Sequence, residues 1–424
     1  MKKPNIGKLY TNIILRNCAQ MIIDNRERRK GRALYNEAMA EITTQKAAPG
    51  IGTPVPLRKS YILPEVHGNL TYHTTWTTRD IKAEVETILS VLNAYKIPCT
   101  LTKINQGPTL TQYVIDLKPG TPVQNILRRE KEFQAALHCS ASLRFDNGYV
   151  FLEVPAQKGT VYLGDMLIDD SFRSSGNFTM AIGMGIDGSK HYIDIEKACH
   201  ILISGMTGSG KSIVLHNLIV SLLMKHTPDK MHLHIIDPKA TEFEFYRGLN
   251  VCTVTSDPDQ AVALLSDLCE EMDRRYNVLK SNGCRDIDSY NVKFPTAPMR
   301  RDIVIIDELS DLMYMSGKSV EASIVRIAQK ARACGIHLII ATQYPVAKVV
   351  TGLIKANMPT KICLRVGTTT NSMVALDMPG GEKLMGHGDM LFLPNGSLTP
   401  TRLQGGFISE MEINNIVYAL KKNQ

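Results

Sequence analysis

The chain has 424 residues, 44% of them hydrophobic and 21% charged, a globular balance that excludes a disordered or fibrous polypeptide. At roughly 100–200 residues per domain there is room for two to four domains with cores that need no covalent staples. The net charge of +8 is carried by residues 1–60, where twelve Lys and Arg meet four acids, and the remainder of the chain is balanced.

That basic arm is densest at Arg26, Arg28, Arg29, Lys30 and Arg32. It reads as a segment that meets phosphate, on nucleic acid or on an anionic membrane surface; a solvated helix end is the plainer reading. Residues 44–60 are rich in Pro, Gly and Thr and read as a linker. The nine cysteines are scattered without a CxxC spacing, as expected of reduced thiols in a cytoplasmic protein rather than of a disulfide framework or zinc site. No apolar run approaches the roughly 18 residues of a spanning helix, and no leader pattern opens the chain.

Residues 61–190 read as a smaller α+β domain. An amphipathic helix follows Asp80 over Ile81–Leu92, and strands are expected at Thr100–Ile104 and Thr109–Leu117 with a turn at Lys118–Gly120. A second helix is expected over Val123–Leu137, then strands at Ser142–Arg144 and Tyr149–Val154. This region shows no catalytic constellation. Residues 191–424 alternate apolar strands with longer helices. The strands are His200–Ser204, Met231–Ile236, Asp302–Ile306, His337–Ala341 and Lys361–Leu364; helices include Ala261–Lys280 and Ser319–Cys334. Such alternation predicts an α/β fold with a mostly parallel sheet covered on both faces, ligands lying at the carboxyl ends of its strands.

The first of these strands runs into Gly205-Met206-Thr207-Gly208-Ser209-Gly210-Lys211-Ser212, a complete G-x-x-x-x-G-K-S. Glycines at these positions let successive backbone N–H groups face the phosphates of a nucleotide, Lys211 reaches the β and γ oxygens, and the Ser212 hydroxyl ligates Mg²⁺. An amphipathic helix follows, which a merely structural glycine loop would not require. Downstream, Ile303–Ile306 ends in Asp307-Glu308. Asp307 is expected to hold Mg²⁺ through its water shell, and Glu308 to orient or deprotonate the attacking water. Asp237-Pro238-Lys239 and Thr342-Gln343 close two further strands. Gln343 is placed to read the γ-phosphate; Asp237 and Lys239 suit a functional role or a local cap equally.

With these residues in place the chain resembles the FtsK/SpoIIIE family of hexameric DNA-pumping motors over residues 65–420. The resemblance rests on the P-loop and also on Gly107-Pro108, Val161–Leu163, Ile236–Lys239, Glu271–Tyr276, Asp307-Glu308 with Asp311-Leu312, Ala328–Leu338, Ala341–Gln343, Thr351–Asn357 and Gly386–Met390. It implies an accessory domain before a RecA-like P-loop NTPase motor, assembly into a homo-oligomeric ring, and ATP-driven movement of double-stranded DNA. It also implies that Arg332 acts on the neighbouring subunit's nucleotide; an exposed helix arginine is the plainer reading. Two departures concern the loops that line the family's pore. Tyr344-Pro345 stands where Arg-Pro is usual, and Thr369 and Met373 stand at positions that are usually basic. Each lost phosphate contact would flatten the salt dependence of binding by roughly 0.9 log unit.

The sequence also shows neither a membrane-spanning N-terminal region nor a C-terminal winged-helix module. The expectation is therefore a soluble motor of mobile-element type, moving plasmid or conjugative-element DNA in transfer or segregation. Its basic arm would dock on DNA, a membrane, or a relaxosome-like protein partner. The alternatives are a protein-secretion ATPase of the same motor family and a nucleotide-dependent scaffold; the Asp307-Glu308 pair counts against the scaffold.

Overall fold

Apolar residues recur in α1 (Ile81–Ala94) at Ile81, Val85, Ile88 and Leu92; all four are buried, the last three in a core shared with a small antiparallel sheet. The computed structural model describes residues 69–72, 74, 81–156 and 159–422, so the basic arm and linker expected at 1–60 lie outside the described residues. The small sheet has β1 (Cys99–Gln106), β2 (Leu110–Leu117), β3 (Ser142–Asp146) and β4 (Tyr149–Pro155) in the order β1-β2-β4-β3. Tyr113, Ile115, Val150 and Leu152 point from it into the core shared with α1 and Phe133. The helix expected over Val123–Leu137 is two short helices, Gln124–Leu127 and Glu130–Leu137. The break falls at Arg129, which leaves helical geometry to pair with Glu132 and to lie 4.3 Å over the Tyr95 ring.

The large sheet has ten strands: β5 (Thr179–Gly185), β6 (Lys190–Asp194), β7 (Ile201–Ser204), β8 (Met231–Ile236), β9 (Cys252–Thr255), β10 (Arg301–Ile306), β11 (Ile336–Thr342), β12 (Thr360–Leu364), β13 (Asp389–Leu393) and β14 (Thr401–Gly405). Their order is β6-β5-β14-β13-β12-β7-β11-β10-β8-β9. The run from β12 to β9 is parallel and the run from β6 to β12 antiparallel. Strand residues alternate between two cores. Ile201, Ile203, Ile303, Ile305 and Ile339 face α2 (Lys211–Leu223); Leu202, Val304, Ile306, Leu338 and Ile340 face α3 (Pro258–Ser281) and α4 (Leu309–Lys330). Burial on both faces is why the parallel strands read as unbroken apolar runs.

The sheet reaches further toward the N-terminus than the boundary expected at 190/191. β5 and β6 are part of it, because β14 arrives from the far end of the chain and pairs Leu403–Gly405 with Gly183–Gly185. The close approach requires glycine: a Cβ on Gly183 would lie 2.4 Å from the Gln404 carbonyl oxygen. The helix expected at Ser319–Cys334 begins ten residues earlier, bends at Ser316 (φ −141°, ψ 42°), and ends in a 3₁₀ turn over Ala331–Cys334. No helix among the described residues is long and apolar enough to cross a membrane.

Candidate active site

The buried strand β7 delivers the chain to the loop 205–210, and Lys211 opens α2 directly behind it. Gly208 (φ +77°) and Gly210 (φ +98°) occupy left-handed backbone that other residues adopt only with strain. Gly205 is needed for space, since a Cβ there would meet Ser209 Oγ at 2.6 Å and Leu364 Cβ at 2.8 Å. The Gly205 N–H donates to the Thr342 carbonyl (3.1 Å) and the Met206 N–H to that of Arg365 (2.9 Å), which pins the loop between β11 and β12. Thr207 is exposed at the tip of the loop, its hydroxyl 2.8 Å from Gln343 Oε1, whereas Ser209 is buried beneath it.

Lys211 is buried. Its ammonium donates to the Asp307 carbonyl at 2.6 Å and to Asp307 Oδ1 at 2.7 Å. Burial holds the Asp307 carboxyl above its ordinary range, opposed by Lys211 and reinforced by the neighbouring Asp237 and Glu308. Glu308 is fully buried and caps α4. Its Oε1 accepts from the Ser310 and Thr342 hydroxyls, both at 2.7 Å, and its Oε2 accepts from the Gln343 N–H at 2.9 Å. Oε2 therefore keeps a lone pair for another donor. Parallel pairing of β10 with β11, Ile306 opposite Ile340, is what brings Gln343 beside Glu308.

The remaining strand end shows what the sequence left open. Asp237 Oδ2 caps the following turn, accepting from the N–H groups of Thr241, Glu242 and Phe243 at 3.1 Å, while its buried Oδ1 has no protein partner among the described residues. Ser310 carries no signal in the sequence beyond its place in the first turn after the acidic pair, and Thr342 is legible only as a strand end beside Gln343. No group of three or more His, Cys, Asp or Glu is placed to hold a metal among the described residues. The Ser212 hydroxyl and the Asp307 carboxylate are the oxygen donors at hand, a set that suits Mg²⁺ completed by phosphate and water.

Arg332 is not brought to this site. It is exposed in the 3₁₀ turn before β11, where its charge acts on Cys199, His200 and His337 at the amino ends of the strands. At about 3.3 Å per residue, β11 separates it from Gln343 by roughly 20 Å. Tyr344, Thr369 and Met373 are all exposed beyond the carboxyl ends. Their two loops are tied together by Asn371 Nδ2 donating to the Pro345 carbonyl at 3.1 Å.

This fold and this loop define a P-loop ATPase-type α/β motor domain preceded by a small α+β domain. Residues 162–347 match the FtsK/SpoIIIE family and residues 66–155 match the FtsK alpha domain. The chain belongs to the FtsK/SpoIIIE family. It is 41% identical over 346 residues to the DNA translocase FtsK of Caldanaerobacter subterraneus subsp. tengcongensis, covering 79% of this chain and 48% of that protein. It is 38% identical over 379 residues to the DNA translocase SftA of Bacillus subtilis, covering 85% of this chain and 39% of that one. The chain thus spans about half the length, or less, of these curated relatives. Among solved structures, the monomer form of the pCW3 conjugation coupling protein TcpA with ATPγS shares the fold, with a TM-score of 0.56 and 24% identity over 80% of this chain and 99% of that one. The cytoplasmic domain of the Thermomonospora curvata Type VII secretion ATPase EccC does so at 0.52 and 24%, over 57% of this chain and 31% of that one.

Proposed function

We propose that the protein is an ATP-driven translocase of double-stranded DNA that works as a homo-oligomeric ring, a hexamer hydrolysing ATP at its subunit seams. The observation that carries this reading is the division of the catalytic groups. Lys211, Asp307, Glu308 and Gln343 meet at one end of the parallel strands, and Arg332 lies at the other end of the same strands. A phosphoryl-transfer site of this kind uses an arginine, and only a neighbouring copy can bring Arg332 to it.

In this scheme the N–H groups of 207, 208 and 210 cradle the phosphates, and Lys211 leaves Asp307 for the β and γ oxygens. Ser212 and Asp307 would hold Mg²⁺, which would supply charge neutralisation for the phosphates. Glu308 Oε2 takes the proton of a water aligned on the γ-phosphorus as the bond to the bridging oxygen breaks, and Gln343 senses the loss of the γ-phosphate. The exposed Tyr344, Thr369 and Met373, with Lys348 close by in sequence, form the surface offered to DNA; hydroxyls and Asn371 replace charge there. The setting we propose is a cytoplasmic motor for plasmid or conjugative-element DNA transfer or segregation, with the arm at 1–60 as its docking segment for membrane or a relaxosome-like partner.

The test is ATP turnover by the purified chain with and without duplex DNA at two salt concentrations. Stimulation by DNA that fades with salt is the expected result, with Lys211→Ala lowering turnover at least about 100-fold. Turnover indifferent to duplex DNA at low salt overturns the translocase reading.

A further inference from the structure

Gly386, His387 and Gly388 form a turn of three consecutive left-handed residues (φ +88°, +50° and +91°) that lies on the outside of the P-loop. The Gly388 N–H donates to the Ser209 carbonyl at 2.7 Å, and the His387 N–H to the Gly208 carbonyl at 3.3 Å. Contact is tight enough that a Cβ on Gly210 would sit 2.6 Å from Gly388 N. A phosphate loop can aim its N–H groups inward only if its carbonyls face outward and find donors there. This turn supplies them.

β14 holds the turn directly, the Gly405 N–H donating to the Gly388 carbonyl and Gln404 Nε2 to the His387 carbonyl, both at 2.8 Å, and a buried carboxylate holds its flank. Asp389 Oδ2 accepts from the Met385 N–H at 2.8 Å and from Arg402 Nη2 at 2.6 Å, and its Oδ1 accepts from Arg402 Nε at 2.9 Å. The third guanidinium nitrogen, Nη1, pairs with Glu153 on β4 of the small sheet, whose other oxygen accepts from Gln112 at 3.2 Å. All three charged side chains are nearly buried, at 11%, 2% and 6% exposed for Arg402, Asp389 and Glu153. A second bridge, Lys383 to Glu130 at 3.4 Å, crosses the same seam two residues before Met385. At that seam a Cβ on Gly107 would lie 3.0 Å from the Ile186 carbonyl oxygen, so the small domain packs closely on the end of β5.

We infer that Arg402 is a positioning residue for nucleotide binding: gripping Asp389 with two nitrogens and Glu153 with a third, it sets the P-loop from behind and makes the small domain part of that setting. The inference rests on the P-loop reading above. Its readout is the Kd of a fluorescent ATP analogue, measured on the full chain by titration, with KM and kcat for ATP alongside.

Arg402→Lys keeps the charge but cannot form the two-pronged pair and the third bond together. The expected result is a Kd and KM raised about tenfold with kcat within about threefold and an unchanged circular dichroism spectrum. Glu153→Gln leaves the Arg402–Asp389 pair intact and is expected to raise Kd about threefold. Wild-type Kd in both folded variants overturns the inference. If Arg402→Lys does not fold, Glu153→Gln decides alone, and an unchanged Kd there overturns the link to the small domain. A wild-type chain that binds the analogue without hydrolysing ATP would strike the proposed function and leave these Kd shifts as the test of Arg402.

Discussion

At the carboxyl end of β10, burial wins: Asp307 sits against Lys211 and its carboxyl is still held above the ordinary range. At the amino end of the same strand, burial loses. Asp302 is as deeply placed, yet His234, at 2.9 Å, and Arg275 outweigh the cost of desolvation and hold its carboxyl below that range. Arg275 also donates to the Cys334 carbonyl (2.9 Å) and to Glu271 (2.7 Å), so it stitches α3, β10 and the turn carrying Arg332 into one closed set. One end of the strand satisfies its charges internally and gains rigidity. In the function we propose, the other keeps a lysine that exchanges its partner for phosphate, as a site that must bind and release requires.

Three measurements would break or sharpen this contrast. The largest effect is expected at Arg332→Ala, which should cut turnover roughly a thousandfold while leaving ATP binding unchanged. Mixing these subunits with Glu308→Gln subunits should restore part of the activity, because each seam that joins the intact halves is whole; full activity of Arg332→Ala alone would return the residue to an ordinary surface role. Next, Arg275→Ala should cost about 3 kcal/mol in denaturant unfolding by leaving Asp302 buried with His234 on Oδ1 and no guanidinium on Oδ2. Lys211→Ala should cost clearly less, because burial already holds the Asp307 carboxyl above its ordinary range and so lowers the cost of neutralising it once the lysine is gone; equal losses would erase the distinction between the two ends.

The third measurement concerns pH. Burial lowers His200 to about 3, and His216 and His337 to about 4, so all three are neutral in the fold. Unfolded, they titrate near 6.5, and unfolding therefore takes up protons below that value. Their stabilising contribution is complete above pH 6.5 and declines as the pH falls toward 4, by about 1.4 kcal/mol per pH unit for each histidine. Denaturation curves at pH 7 and pH 5 that coincide would contradict the burial of these rings.

What the sequence revealed follows the range of the interactions involved. The P-loop, the acidic pair and the parallel strands are local patterns, and Met231–Ile236 was placed to the residue. Gln343 could be put beside Glu308 because adjacent parallel strands end together. The small glycine-rich strand Thr179–Gly185 carries no pattern that separates it from the preceding domain, since its place depends on β14, more than two hundred residues later. The Arg402–Glu153 pair spans 249 residues for the same reason. Gly386–Met390 was visible as a motif, but its work on the P-loop is done by backbone N–H groups, which no side-chain pattern reports.

The position of β14 has a practical consequence for trimming the chain. Because this strand alone joins β13 to β5, a version ending before Thr401 would leave two bare strand edges facing each other across a gap, each a template for intermolecular pairing. Shortened forms would be lost to aggregation rather than yield a smaller working motor, and useful deletions belong at other points of the chain.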